Sequence, residues 1–113
     1  MKPFLRVMKA LSDSNRIKII KLLEQKELCV CEITSALGLA QPTVSKHLKL
    51  LEDAELIASR KDASWVNYRL APDDNHPYQS SLLRLIRTWL NDEKDITELI
   101  SRLDEFDRSK LKV

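Results

Sequence analysis

Two helical patterns separated by the chain's single glycine restrict the possible folds of this chain more than any other feature of the sequence. Val30, Ile33 and Leu37 recur at the i, i+3, i+7 spacing of a helix, and Gly38 follows directly. Glycine adopts a left-handed backbone at little steric cost, so Gly38 predicts the end of this helix. Pro42 suits the first turn of a second helix, where the missing N–H of proline is no loss. The pattern predicts two short helices joined by a tight turn, as in a helix-turn-helix.

The second of these helices is predicted over residues 42–55, and its two faces differ in chemistry. Val44, Leu48 and Leu51 form a buried stripe at i, i+4, i+7. The side chains away from this stripe or at its flanks are polar or basic: Gln41, Thr43, Ser45, Lys46, His47 and Lys49. No acid occurs on this helix before Glu52, as expected of a helix that contacts the major groove of DNA. His47 lies at the flank, where it either contacts DNA or only packs against the domain.

A β-hairpin, the wing, is predicted after this helix. Residues 56–61 and 65–70 read as two strands, and the absence of glycine between them predicts a loop longer than two residues. Alternation places one set of side chains inward, namely Val66, Tyr68 and Leu70, and the other outward, namely Trp65, Asn67 and Arg69. Arg60 and Lys61 are expected to contact phosphates. The fold class is therefore mostly α with a small β-hairpin, a winged helix-turn-helix.

Further helices are predicted on both sides of this unit, within one domain of residues 1–113. A single domain of 113 residues buries only about two-thirds of its unfolded surface. The apolar faces of the first helix and of the two C-terminal helices, the second of which carries Ile96, Leu99 and Ile100, exceed what a small winged helix covers. We therefore expect a homodimer. The interface residues are expected to be Phe4, Leu5, Met8, Leu82, Leu85, Ile86 and Trp89.

Charge and hydropathy narrow the class of protein. The net charge is +2, but residues 1–70 hold 12 basic against 8 acidic side chains, and residues 71–113 hold 7 against 9. The basic part coincides with the helix-turn-helix, which favours DNA as a partner. No apolar run is long enough for a membrane span, so a cytoplasmic location is expected. In that reducing compartment the two cysteines are expected to be thiols.

Cys29 and Cys31, the only cysteines, lie where the first helix of the motif begins. Buried free cysteines often serve only as small apolar side chains, whereas thiolates are soft ligands that select thiophilic ions. Residues two apart in a regular helix point about 200° from each other, because each residue turns the helix by roughly 100°. One ion then reaches both sulfurs only if the backbone of residues 29–31 is extended or distorted. We expect ligand binding to unwind the first turn of this helix and thereby to tilt the DNA-contacting helix.

Two motifs of this chain resemble those of the ArsR/SmtB family of dimeric winged-helix repressors. Glu27-Leu28-Cys29-Val30-Cys31-Glu32-Ile33 is similar to the thiol box of its arsenic-responsive members, and Gln41-Pro42-Thr43-Val44-Ser45-Lys46-His47-Leu48 is similar to its recognition helix. The resemblance implies a repressor, not an enzyme, that binds double-stranded operator DNA as a homodimer. It also implies release from the operator when As(III) or Sb(III), as arsenite or antimonite, binds Cys29 and Cys31.

The chain departs from the family pattern at Thr34, where several arsenic-responsive members carry a third cysteine. Only two protein thiolates remain, so the third ligand of the metalloid is left to a cellular thiol, water or nothing. The same thiols suit a repressor that responds to oxidants, persulfides or other soft metals such as cadmium and lead, and this alternative stays open. A thiol enzyme is disfavoured, because the chain has neither Cys-x-x-Cys nor a phosphate-binding glycine loop.

Overall fold

Six helices and a three-stranded sheet form the described part of the chain, followed by two 3₁₀ turns. The computed structural model describes residues 1–72 and 76–110. In chain order the elements are α1 (Lys2–Leu11), α2 (Ser14–Gln25), β1 (Leu28–Cys29), α3 (Val30–Leu37), α4 (Gln41–Asp53), β2 (Ile57–Asp62), β3 (Trp65–Leu70), α5 (Pro77–Arg87) and α6 (Lys94–Ser101). The C-terminal segment, residues 103–110, holds the 3₁₀ turns Leu103–Phe106 and Arg108–Lys110. The predicted mostly helical winged helix is confirmed.

The tight turn between α3 and α4 forms as predicted. Gly38 has φ +67° and donates its N–H to the carbonyl of Thr34 at 3.0 Å, which ends α3 in a left-handed cap. Pro42 lies in the first turn of α4. Val44 and Leu48 are 0% and 1% exposed, so α4 is fixed to the core by the predicted stripe. The position of the opposite face of α4 follows from this packing.

Asp13 caps the N-terminus of α2. Its carboxylate accepts hydrogen bonds from the backbone N–H groups of Asn15 and Arg16 at 2.8 and 3.1 Å. Partial burial opposes ionisation, but the Arg16 hydrogen bond and the Arg16 charge outweigh it and lower the pKa of Asp13 below its usual range. The folded chain therefore favours the ionised cap.

Replacing the cap by Asp13→Ala is expected to lower the free energy of unfolding by about 1 kcal/mol at pH 7. A carboxyl group with a lowered folded-state pKa contributes stability that is present above its unfolded value of about 3.9 and is lost as the pH falls through the folded value. Urea unfolding at pH 7 and in acid measures both effects. The control, Asp13→Asn, is expected to retain most of the stability at pH 7; a variant as unstable as Asp13→Ala would contradict the capping role.

The sheet has the strand order β1-β3-β2 and is antiparallel throughout. Asp62 pairs with Trp65, which leaves only Ala63 and Ser64 in the turn of the wing. The prediction of a longer loop is wrong, because Ala63 adopts the positive φ (57°) that a two-residue hairpin usually assigns to glycine. The sequence analysis also missed β1, whose two residues are too few for a strand pattern.

The two faces of β3 only partly follow the predicted alternation. Tyr68 and Leu70 pack against the core as expected. Val66 is a correction, because it is 38% exposed near the tip of the wing. Asn67 is a second correction, with 7% exposure: it lies in the central strand of the sheet, two residues from Trp65, over whose ring the guanidinium of Arg108 lies.

The C-terminal helices contribute to the chain's own core. Ile96 and Leu99 of α6 are buried, and α6 packs against α2. The expectation that α6 belongs to a dimer interface is therefore corrected, since its apolar face already has a partner within the chain. Within the described ranges, no helix combines the length and the apolar character needed to cross a membrane.

A buried lysine of α2, paired with an acid of the same helix, joins α2 to the end of α5. Nζ of Lys21 lies 2.7 Å from Oε1 of Glu24, and the two side chains are 2% and 3% exposed. The same ammonium donates to the carbonyl oxygens of Ile86 and Trp89 at 3.0 and 2.9 Å. Lys21 thus adds a donor to the carbonyl of Ile86, which also accepts the N–H of Trp89 at 2.9 Å, and binds the carbonyl of Trp89 just beyond the end of α5.

Candidate thiol site and DNA-contacting surface

The two cysteines lie on either side of a helix start. Cys29 is the last residue of β1 and the N-cap of α3, with extended backbone angles of φ −83° and ψ 165°, and Cys31 is the second residue of α3. Their sulfur atoms are 2.6 Å apart, and both are free thiols. The extended backbone that chelation was expected to require is thus present at Cys29, which stands outside the helix with its side chain facing Cys31. This geometry does not call for the expected unwinding of the first turn.

The surroundings of the pair keep one thiol protonated. Cys29 is 1% exposed, whereas Cys31 is partly exposed. Burial raises the pKa of Cys29 to about 12, and the hydrogen bonds with Cys31 and with the carboxylate of Glu32 act in the same direction. Glu32 also accepts the backbone N–H of Cys29 at 2.8 Å, which completes a capping box. An incoming soft ion must therefore displace a proton from Cys29.

A third donor at the thiols is not supplied by an acid, a histidine or another cysteine. Within residues 1–72 and 76–110, no third side chain of these types joins the two sulfurs in a metal-binding cluster. Thr34, one turn further along α3 than Cys31, has a buried hydroxyl oxygen without a hydrogen-bond partner in this part of the chain. Among the described residues, the chain therefore offers two sulfurs at the start of α3 and one unpaired hydroxyl one turn further along this helix.

The polar face of α4 is open to solvent. Its exposed members are those predicted to contact DNA, namely Gln41, Thr43, Ser45, Lys46 and Lys49. Lys49 forms an ion pair with Asp53 at 3.5 Å, in which the lysine side chain is 77% exposed and thus free to exchange partners. The surface has the composition and geometry of a helix that enters the major groove.

His47 is only partly exposed and has a partner inside the domain. A terminal guanidinium nitrogen of Arg16 lies 3.1 Å from its Nδ1, and Nε of Arg16 donates to the carbonyl of Ala10 at 2.6 Å. Since a guanidinium only donates, Nδ1 of His47 accepts and the proton of the neutral ring stands on Nε2. The Nδ1 side of the His47 ring is thus explained by packing within the domain. Contact of the Nε2 side with DNA stays a prediction. The sequence analysis gave no role to Arg16, because its partners lie on two other helices.

The wing carries the two basic residues predicted to contact phosphates. Lys61 is exposed near the turn. Arg60 is exposed as well, but its Nε lies 2.6 Å from Oε1 of Glu27, just before β1. Part of its charge is therefore neutralised within the chain, and its orientation depends on the segment that carries the thiols.

An apolar surface on α1 and α5 matches most of the predicted dimer interface. The exposed apolar side chains include Phe4, Leu5, Leu85 and Trp89, together with Tyr78 and Leu90, which the sequence analysis missed. Met8 and Leu82 pack partly against the core. Ile86 is a correction, because it is 4% exposed and belongs to the core of its own chain. Tyr78 was recognisable from its i, i+4 spacing to Leu82, and its ring contacts that of Phe4 edge-on at 5.3 Å.

Comparisons with known proteins agree with this geometry. The family described as "Bacterial regulatory protein, arsR family" matches residues 13–59. The arsenical resistance operon repressor of Escherichia coli is 45% identical over 69 residues, which cover 60% of this chain and 59% of that repressor. The chain thus spans little more than half of this relative's length.

Solved structures extend the likeness beyond the matched family region. HlyU from Vibrio cholerae superposes with a TM-score of 0.67 at 28% identity, over 79% of this chain and 92% of that chain. A winged helix-turn-helix domain from Mycobacterium bovis is described as homodimeric and as a possible ArsR-family regulator. It superposes with a TM-score of 0.66 at 26% identity, over 95% of this chain and 86% of that chain. The fold and its sites define a winged helix-turn-helix protein of the transcriptional-regulator class. Residues 13–59 form a helix-turn-helix domain of the ArsR family. An HTH-type transcriptional regulator of Methanocaldococcus jannaschii is 40% identical over 68 residues, which cover 76% of that protein.

Proposed function

We propose that this chain is a cytoplasmic transcriptional repressor that binds operator DNA as a homodimer and leaves it when arsenite or antimonite binds Cys29 and Cys31. The observation that carries the proposal is the facing pair of free thiols, 2.6 Å apart, at the start of the helix that precedes α4. The Escherichia coli relative, named for arsenical resistance, supports the choice of a metalloid inducer.

The proposed DNA surface combines α4 with the wing. Exposed polar residues of α4 reach the base edges, and Lys46, Lys49, Arg60 and Lys61 contact phosphates. A dimer brings two copies of α4 to half-sites about 34 Å apart. The exposed apolar surface of α1 and α5 supports dimerisation, as does the homodimeric domain from Mycobacterium bovis.

The chemistry of inducer binding follows from the protonated state of the site. Arsenous acid exchanges two of its hydroxides for the two sulfurs, so two As–O bonds break and two As–S bonds form. The thiol protons leave with the hydroxides as two water molecules, and the oxidation state of arsenic does not change. A third hydroxide stays on arsenic.

Arsenite is expected to weaken operator binding by the dimer about 5–150-fold, the range of ordinary allosteric coupling. Cys29→Ser and Cys31→Ser proteins are expected to hold the operator as the unsubstituted chain does and to ignore arsenite, because serine retains the size of the side chain but not the soft ligand. Fluorescence anisotropy of a labelled operator, titrated with and without arsenite, measures both properties. Cysteine variants that still release the operator with arsenite would contradict the proposal.

A second candidate is release by an oxidant, which the closeness of the two sulfurs favours. The raised pKa of Cys29 disfavours it, because the thiolate is the species that oxidants and persulfides attack. Release of the operator by peroxide in the absence of metalloid would support this candidate over the first.

A further inference from the structure

A single carboxylate connects the thiol pair to the C-terminal segment. Oε1 of Glu32 accepts the backbone N–H of Cys29 at 2.8 Å, and Oε2 accepts the backbone N–H of Arg108 at 2.9 Å. The residue is only 7% exposed, so both bonds lie away from bulk water, where charge-assisted hydrogen bonds are strong. A displacement of the Cys29 backbone therefore acts on the C-terminal segment through this side chain.

The C-terminal segment in turn contacts the wing. The guanidinium of Arg108 lies 4.8 Å from the centre of the Trp65 ring, a cation–π arrangement. Trp65 is the first residue of β3 and directly follows the two-residue turn. This contact reaches the part of the wing that also holds Lys61, whose partner across the hairpin is Val66.

A second connection runs through the sheet itself. Cys29 pairs with Asn67 of β3, and Asn67 pairs on its other side with Arg60 of β2. The side chain of Arg60 returns to Glu27, two residues before Cys29. The thiol pair and the predicted phosphate contacts of the wing are thus joined by backbone pairing, by an ion pair and by the Glu32–Arg108–Trp65 series.

We propose that Glu32 and Arg108 couple the thiol pair to the wing, so that inducer binding weakens DNA contacts made by Arg60 and Lys61. This inference rests on the proposed function and names the residues that transmit the effect of inducer binding to the DNA surface. An ion bonded to both sulfurs replaces the direct contact between the two thiols, so the side chain of Cys29 must rearrange. Because the backbone of Cys29 is bound to Glu32 and to β3, this rearrangement shifts the connections to the wing.

The test separates binding from coupling in full-length protein. Arg108→Met removes the guanidinium over Trp65 but retains the backbone N–H that Glu32 accepts. Glu32→Gln retains one acceptor oxygen and replaces the other by an NH₂ group. The matched control is Arg102→Met, which removes a similar cation–π contact, with Phe106 at 5.2 Å, that does not involve the wing. For each protein, calorimetry gives arsenite affinity without DNA, and anisotropy gives operator affinity with and without saturating arsenite.

Arg108→Met is expected to bind arsenite within about twofold of the unsubstituted chain but to lose at least about fivefold of the arsenite-dependent change in operator affinity, and Glu32→Gln is expected to lose a similar part of that change. The control is expected to retain the full change. The inference would be overturned if Arg108→Met bound arsenite with unchanged affinity and still showed the full arsenite-dependent change in operator affinity. If the unsubstituted protein itself does not respond to arsenite, the proposed function fails, and the inference that rests on it is overturned too.

A second readout follows the wing directly. In a Trp89→Phe background, Trp65 is the only tryptophan, so its emission reports the environment near the wing turn. Arsenite is expected to change this emission in the parent and to change it several-fold less after Arg108→Met. An arsenite-induced change of equal size in both proteins would count against the coupling role of Arg108.

Discussion

The Lys21→Met protein is expected to unfold with a free energy about 3–5 kcal/mol below that of the unsubstituted chain. The substitution leaves Glu24 as a buried charge without its cation, and the second carboxylate oxygen of Glu24 already lacks a hydrogen-bond partner among the described residues. It also removes two hydrogen bonds to carbonyls at the end of α5. Such a loss approaches the whole stability of a small domain.

A matched control for this prediction exists on the surface. Lys49 and Asp53 are an i, i+4 ion pair with side chains 77% and 52% exposed, so Lys49→Met is expected to cost less than about 1 kcal/mol. Urea unfolding followed by helical circular dichroism measures both variants at one protein concentration, since a dimer's stability depends on concentration. The double variant Lys21→Met/Glu24→Gln is expected to recover part of the loss, because no buried charge then remains. Equal costs at Lys21 and Lys49 would contradict the role of the buried pair.

The prediction at Lys21 also concerns assembly, because this ammonium fixes the end of the helix that carries much of the exposed apolar surface. Leu85 and Trp89, on either side of the carbonyl of Ile86, belong to that surface. A less ordered end of α5 presents this surface less precisely. We therefore expect the substitution to weaken dimerisation together with folding.

The helical elements were predictable from sequence because their information is local. The spacing of Val44, Leu48 and Leu51 and the position of Gly38 depend only on helix geometry and on the backbone freedom of glycine. The same reasoning predicted the exposed face of α4. Every one of these predictions uses residues within about two helical turns of one another.

The features missed by sequence depend on partners far along the chain. Asn67 was expected outside but is buried in the central strand of the sheet, and Lys21 gives no sign in the sequence of the carbonyls near the end of α5 that it binds. The geometry of the thiols was wrong for a local reason. The helix was predicted to begin near Val30, as observed, but the angle between the thiols was argued from regular helix geometry. Glu32 at the third helical position is the partner typical of a capping box, which places Cys29 at the N-cap, outside that geometry.

Cadmium affinity is expected to increase at least about tenfold per pH unit, and so by about a thousandfold between pH 5.5 and 8.5, whereas arsenite affinity is expected to stay nearly constant. The pKa of Cys29 is raised to about 12, mainly by burial, so this thiol is protonated throughout that range. A divalent cation must expel its proton into solution, and each proton released makes binding tenfold more favourable per unit increase in pH. Neutral arsenous acid supplies a hydroxide that leaves as water with the same proton, so no net proton is released.

Competition titrations in a non-coordinating buffer, with free cadmium set by a chelator, measure the first dependence, and calorimetry with arsenite measures the second. Cys29→Ser is expected to bind both ligands far more weakly. Any cadmium that it still binds should release at least one proton fewer, so the remaining cadmium affinity should depend less steeply on pH. A cadmium affinity that does not change with pH would show that Cys29 is not a ligand or is already ionised. A flat arsenite profile beside a steep cadmium profile would mean that acidic conditions favour the metalloid over the cation, because the buried thiol gives up its proton only together with a leaving hydroxide.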